Sequence, residues 1–185
     1  MANSVPMVEI WRGPFLECVH QGHAVVCDED GQTVESWGDP PAIVLPRSSS
    51  KMLQALPLIE SGAAEDAGLT DKQLALACAS HQGAEIHSEN VKAWLQDLGM
   101  SDSDFRCGPQ EPRDVEVRDD LIRNGKPVCR YHNNCSGKHS GFLTLTKYLN
   151  AGPEYVELDH PVQKAVKAVF QELTQEDTPG YGIDG

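Results

Sequence analysis

The sequence His132-Asn-Asn-Cys-Ser-Gly-Lys-His-Ser-Gly141 combines a thiol, hydroxyls, an amine and two imidazoles with glycines. The next residues, 142–149, carry apolar side chains at roughly helical spacing, so this stretch is predicted to lie where a loop enters a helix. On the first turn of that helix, Cys135 and Lys138 are three residues apart and share a face. Candidate functional side chains are therefore expected to cluster at this helix start.

Cys135 and Lys138 admit two interpretations. A helix N-terminus presents free N–H groups and a positive potential, which favour a thiolate, and a thiolate binds soft metal ions. Lys138 could join it as a ligand only after losing its proton. The alternative is a glycine-containing helix start with a buried cysteine and a solvated lysine. Because structural zinc sites use four ligands, the spacing by itself leaves both interpretations open.

Length and composition predict one globular domain over residues 1–185. The formal charge is −13 and the pI is near 4.8. An acidic chain without a basic patch is unsuited to nucleic acid or an anionic membrane. A small neutral or zwitterionic ligand remains allowed.

The sequence contains no targeting or membrane signal that we can identify. No apolar run approaches the ~20 residues that span a bilayer, and residues 1–10 have neither a basic nor an apolar signal region. We therefore predict a cytoplasmic protein whose six cysteines are mostly reduced.

Residues 7–38 are predicted to form a β-meander of four short strands, because turn signals separate four runs of strand-forming residues. Helices are predicted for most of the remainder, including one that Asp159 caps with Pro161 in its first turn. The polar, turn-rich segment 101–114 is predicted to be a surface excursion. Further helices are predicted after the serines that precede Met52, after a cap at Thr70, and from about His87 and Val115.

Ser48 and Lys51 stand three residues apart at a predicted helix start, which places their Cβ atoms ~5–6 Å from each other. This is the spacing in which a desolvated, neutral lysine can take the proton from a serine nucleophile. The alternative is a capping serine followed by an exposed lysine. Ser80 is a second candidate nucleophile. Its neighbour His81 is interpreted as structural, because adjacent residues do not face each other on a helix.

Several stretches together resemble the bacterial asparaginase II family of Rhizobium-type L-asparaginases, and they occur in the order of the family along the whole chain. The Asn-Cys-Ser-Gly-Lys-His run at 134–139 is the most diagnostic of them. The other matching stretches are Trp11-Arg-Gly-Pro14, Gly22-His-Ala-Val25, Gly38-Asp-Pro40, Arg47-Ser-Ser-Ser-Lys51, 54–62 and Ala79-Ser-His81.

The resemblance implies an α+β fold like that of serine β-lactamases and glutaminases, with helices packed on an antiparallel sheet. It implies hydrolysis of the side-chain amide of L-asparagine to L-aspartate and ammonia. Within that family, the roles implied are a Ser-Lys tandem for Ser48 and Lys51, a second tandem for Ser80, zinc ligation for Cys135 and Lys138, and substrate binding for Arg47 and His139.

The chain departs from the family in its length. Family members are nearly twice as long. Residues 182–185 correspond to a stretch that, in those longer proteins, continues directly into a third metal-ligating cysteine. We therefore expect this chain to correspond to the N-terminal portion of the fold, and a homodimer is compatible with it. Two alternatives stay open: a Ser-x-x-Lys acyl enzyme acting on other amides or β-lactams, and a non-catalytic fragment that binds metal or a partner.

Overall fold

The structure is a computed structural model that describes residues 3–175 and residue 182. Over these residues the protein contains both helices and small antiparallel sheets, which confirms the predicted α+β class. The chain divides into two compact units, Met1–Pro46 and Arg47–Gly185. The predicted approach to another strand at the glycine-rich end lies, apart from Gly182, outside the described residues.

The first unit consists of two β-hairpins. Strand β1 (Val5–Arg12) pairs with β2 (Phe15–Gly22), and β3 (Ala24–Cys27) pairs with β4 (Thr33–Trp37), both antiparallel. The four strands are confirmed, but the continuous meander is wrong. One residue, His23, separates β2 from β3, and a tight hairpin needs a two-residue loop. Its Nδ1 instead accepts a hydrogen bond from the Asp39 amide at 2.8 Å.

The second unit is helical over its described residues. Its α-helices are α1 (Lys51–Glu60), α2 (Ala63–Asp66), α3 (Asp71–Cys78), α4 (Glu85–Asp97), α5 (Val115–Arg123), α6 (Ser136–Tyr148) and α7 (Pro161–Thr174). Short 3-10 helices cover Arg47–Ser50, Asp102–Asp104 and Arg130–His132. None of the helices in the described part is long and apolar enough to cross a bilayer.

Helix α6 is buried along almost its whole length, from Ser136 to Thr146. Its small residues permit this, because a Cβ at Gly137 would collide with the backbone carbonyl of Leu76 in α3. Two of its buried hydroxyls are satisfied within the helix, since Ser140 and Thr144 each donate to the carbonyl four residues earlier, at 3.0 and 2.9 Å. The helix that carries the diagnostic sequence is therefore also central to the core.

Two local predictions are wrong in this unit. The N-cap of α7 is His160, whose Nδ1 accepts from the Val162 amide at 3.2 Å, and not Asp159. The segment 101–114 is not merely a surface excursion, because Phe105 and Cys107 are 2% and 3% exposed. Two apolar residues in a polar segment suffice to draw that segment into the core.

Candidate functional site

Lys51 is the first residue of α1, and its side chain is 2% exposed. Its Nζ donates to Ser80 Oγ at 2.8 Å and to the carbonyl of Ala79 at 2.7 Å. Ser80 follows the end of α3 and is exposed. The packing of α1 against α3 thus joins a buried lysine to a solvent-accessible serine 29 residues away.

Ser48 lies on the 3-10 turn that precedes α1 and is exposed. The hydrogen bonds recorded for Lys51 Nζ go to Ser80 and Ala79 rather than to Ser48. Arg47, which begins the same turn, is exposed and has a φ of +52°, a value that is unfavourable for a residue with a side chain. Non-glycine residues in this region are concentrated at functional sites. The turn therefore presents both Arg47 and Ser48 to solvent directly before the buried lysine.

His81 is buried, whereas the neighbouring Ser80 is exposed. Its Nδ1 accepts the Gly83 amide at 3.1 Å, so its proton lies on Nε2, which donates to Ser136 Oγ at 2.8 Å. Ser136 Oγ in turn donates to the Tyr131 carbonyl at 3.0 Å. This geometry agrees with the structural interpretation of His81. The imidazole connects the Ser80 segment to the first turn of α6.

Burial, with smaller effects from the nearby His87, Lys51 and His132, lowers the pKa of His81 to about 4. Its ring also stacks on that of His87, with centroids 5.1 Å apart. His81 is therefore a neutral hydrogen-bond donor near neutral pH, and through Ser136 it ties the Ser80 segment to α6.

Cys135 is the N-cap of α6 and is half-buried. Its amide donates to Asn133 Oδ1 at 2.8 Å, and its Sγ donates to Asn134 Oδ1 at 3.2 Å. Lys138 follows on the first turn, with its Nζ 5.6 Å from the centroid of the Phe142 ring. The loop-to-helix position predicted for Cys135 and Lys138 is confirmed.

These two residues could supply a thiolate and a neutral amine to a metal ion. No group of three or more His, Cys, Asp or Glu side chains that could hold a metal ion occurs among residues 3–175 and 182. Cys107, whose pKa burial raises to about 12, remains a thiol. The donor types of Cys135 and Lys138 suit zinc, and the pair would leave the other positions of a four-coordinate site to further ligands.

His139 lies one residue after Lys138 and is buried. Burial, with smaller effects from the charges of Lys138 and Lys51, lowers the pKa of His139 to about 3. Its Nδ1 lies 2.8 Å from the hydroxyl of Tyr155. The sequence analysis did not identify Tyr155, because it stands 16 residues away in a segment without a motif.

The sequence analysis also did not identify the contact between Ser136 and His81. Ser136 belongs to the stretch 132–141, but His81 is 55 residues distant along the chain.

A groove of about 660 Å³ lies elsewhere in the same unit. Trp94, Leu98, Lys147 and Tyr148 contribute to its walls, and none of the seven candidate residues lines it. The Lys51–Ser80 pair is instead open to solvent through the exposed serine. We therefore place the candidate site at this pair and not at the groove.

An exposed serine bonded to a buried lysine is an arrangement suited to acyl transfer. The model of the L-asparaginase II family matches residues 8–185, nearly the whole chain, and the chain belongs to that family. Membership implies an amidohydrolase whose small-molecule substrate is L-asparagine. A search of the curated proteins finds no match to this chain.

Proposed function

We propose that this protein hydrolyses the side-chain amide of L-asparagine to L-aspartate and ammonia through a serine nucleophile and Lys51. The observation that carries the proposal is the 2.8 Å contact between Lys51 Nζ and Ser80 Oγ in a member of the L-asparaginase II family. A carboxamide is a poor electrophile, so its hydrolysis needs an activated nucleophile and a positioned base.

In the first half of the reaction, the serine oxygen attacks the amide carbon and neutral Lys51 takes the hydroxyl proton. Lys51 then returns this proton to the departing nitrogen, so that ammonia leaves and a serine ester remains. In the second half, water attacks the ester, Lys51 accepts a proton from the water, and the serine recovers a proton as L-aspartate leaves. The sum is L-asparagine plus water giving L-aspartate plus ammonia.

Two serines, Ser48 and Ser80, are candidates for the nucleophile in this scheme. We propose Ser48 as the nucleophile, because it is exposed beside Arg47 and three residues before Lys51. Ser80, bonded directly to Lys51, then serves as the second serine that relays protons to and from it. Arg47 and His139 are proposed to bind the substrate.

The test is ammonia release from L-asparagine by the chain and by four variants. Lys51→Met, Ser48→Ala and Ser80→Ala are expected to lower turnover by at least about a hundredfold, the loss typical for a proton-transfer group. Ser49→Ala, on the same exposed turn, is the matched control and should keep full turnover. Full turnover in Lys51→Met would refute the mechanism, and absence of turnover in the parent chain would favour a non-catalytic protein.

A covalent label identifies the serine that attacks. A diazoketone analogue of L-asparagine would alkylate the nucleophile, and trypsin separates the candidates because Ser48 lies in peptide 48–51 and Ser80 in peptide 73–92. Label in peptide 48–51 supports Ser48, and label in peptide 73–92 would exchange the roles of the two serines.

We also propose that Cys135 and Lys138 supply two ligands to a zinc ion, which would polarise or orient the substrate when bound. Cobalt(II) is the probe, because thiolate ligation gives it an intense charge-transfer absorption. We expect this band in the parent chain and its loss in Cys135→Ser. Cys18→Ser, which changes an exposed cysteine of the first unit, is the control. A band that survives in Cys135→Ser would place the metal elsewhere.

Family membership further leads us to propose a serine β-lactamase-like arrangement of sheet and helices, a homodimer and a cytoplasmic location. Light scattering after size-exclusion chromatography tests the dimer directly. A mass equal to one chain of 20.2 kDa at micromolar concentration would contradict it.

A further inference from the structure

Tyr155 lies in the connection between α6 and α7, and its side chain is completely buried. Its hydroxyl contacts two groups, the backbone amide of Arg106 at 2.7 Å and Nδ1 of His139 at 2.8 Å. The backbone carbonyl of Tyr155 accepts from Gln163 Nε2 at 2.8 Å, which ties the segment to α7. Tyr155 is therefore fixed both at its hydroxyl and at its backbone.

Which atom donates in each hydrogen bond of the Tyr155 hydroxyl follows from the protons that the two partners carry. A backbone amide can only donate, so the Tyr155 oxygen is the acceptor towards Arg106. The hydroxyl keeps one proton, which in a buried site must find an acceptor. Among the described residues, the acceptor recorded for it is Nδ1 of His139. Nδ1 then carries a lone pair, and the ring proton of His139 is on Nε2.

We infer that Tyr155 is a positioning residue that fixes His139 as an Nε2–H donor to an oxygen atom of the substrate. The inference rests on the proposed function, which assigns substrate binding to His139. It also restricts the ligand: an Nε2–H group binds a carboxylate or an amide carbonyl, whereas the opposite tautomer would present a lone pair to a metal ion or an ammonium group.

Aromatic packing restrains the ring as well. Phe105 and Phe142 meet His139 edge to face, with centroids at 6.4 and 6.0 Å. The Tyr155 ring does the same at 5.5 Å. Because three aromatic rings enclose the imidazole, a change of tautomer cannot easily be accommodated by rotating the ring away from Tyr155.

The tautomer can be read directly by two-bond proton–nitrogen NMR on the full chain labelled with nitrogen-15 histidine. The His139 signals are identified by their loss in His139→Gln. We expect a single neutral tautomer protonated on Nε2 near neutral pH, and a shift of the Nε2 signal when L-asparagine is added. Tyr155→Phe should populate the Nδ1–H tautomer, while Tyr148→Phe, at an exposed tyrosine, should leave the His139 spectrum unchanged.

Kinetics then separate positioning from general stability. Tyr155→Phe should raise KM for L-asparagine about tenfold, equivalent to about 1.4 kcal/mol, with a smaller change in kcat. An Nδ1–H tautomer in the parent chain overturns the inference even if asparagine is hydrolysed, and so does an unchanged KM together with an altered tautomer. Absence of turnover overturns the proposed function alone, because the tautomer and the asparagine-induced shift are measured on the parent chain and do not need activity.

Discussion

Acid should destabilise the second unit through His81, and His81→Gln should remove part of this sensitivity. The pKa of His81 is lowered from 6.5 to about 4 in the folded protein, mainly by burial. Between these values the unfolded chain binds a proton that the folded chain does not. The free energy of unfolding is therefore at its full value above pH 6.5, the pKa of this histidine in the unfolded chain, and it falls as the pH drops towards about 4.

Each pKa unit corresponds to about 1.4 kcal/mol. Relative to neutral pH, His81 therefore lowers the free energy of unfolding by about 3 kcal/mol below pH 4 and by about 2 kcal/mol at pH 5. The hydrogen bonds to Gly83 and Ser136 place the imidazole where a second ring proton would face an amide donor. Glutamine can keep the donor to Ser136 but does not titrate. The difference in stability between parent and His81→Gln should therefore narrow by about 2 kcal/mol from pH 8 to pH 5.

Urea unfolding followed by tryptophan fluorescence measures this difference. Trp94 is 1% exposed in the second unit, whereas Trp11 and Trp37 are exposed in the first. A background with both of these changed to phenylalanine reports unfolding of the unit that contains His81. His20→Gln, at an exposed histidine of the first unit, is the matched control. Parallel pH dependences for the parent and His81→Gln would refute the reasoning.

Two further predictions concern packing and surface charge. Gly137→Ala should lower the free energy of unfolding by about 1–3 kcal/mol, because the new methyl group meets the Leu76 carbonyl; Gly152→Ala, where a Cβ meets nothing within 4 Å, should change it by less than about 0.5 kcal/mol. Glu154→Gln should change the free energy of unfolding no more than Gly152→Ala does, although it breaks a 2.9 Å ion pair with Arg106, since both side chains are partly exposed. Urea unfolding checks both predictions; equal losses for the two glycine variants, or a loss for Glu154→Gln as large as that for Gly137→Ala, would contradict them.

Local signals predicted the secondary structure of this chain well. Thr70 precedes α3 as expected, and its amide donates to Gln73 Oε1 at 2.8 Å. The turn signals at Gly13 and Gly31 mark the two hairpins, and both glycines have positive φ values. Such signals act over a few residues along the chain, so they can be read without knowing how the elements pack.

The candidate site was predicted only in part for the same reason. The sequence indicated Lys51 as a candidate base but paired it with Ser48, three residues away. The recorded hydrogen bond goes to Ser80, which becomes a neighbour only when α1 and α3 pack together. The roles of Arg47, Ser48 and the zinc ligands stay predictions.

By itself, the sequence determined the family, the α+β class, the four strands and the position of Cys135 and Lys138 at a helix start. Only the tertiary structure decided which serine contacts Lys51, that α6 is buried along its length, and that Tyr155 reaches His139. The physical reason is range. Turns and caps are set by neighbours within one helical turn, whereas burial and buried hydrogen bonds depend on distant segments that meet only in the packed core.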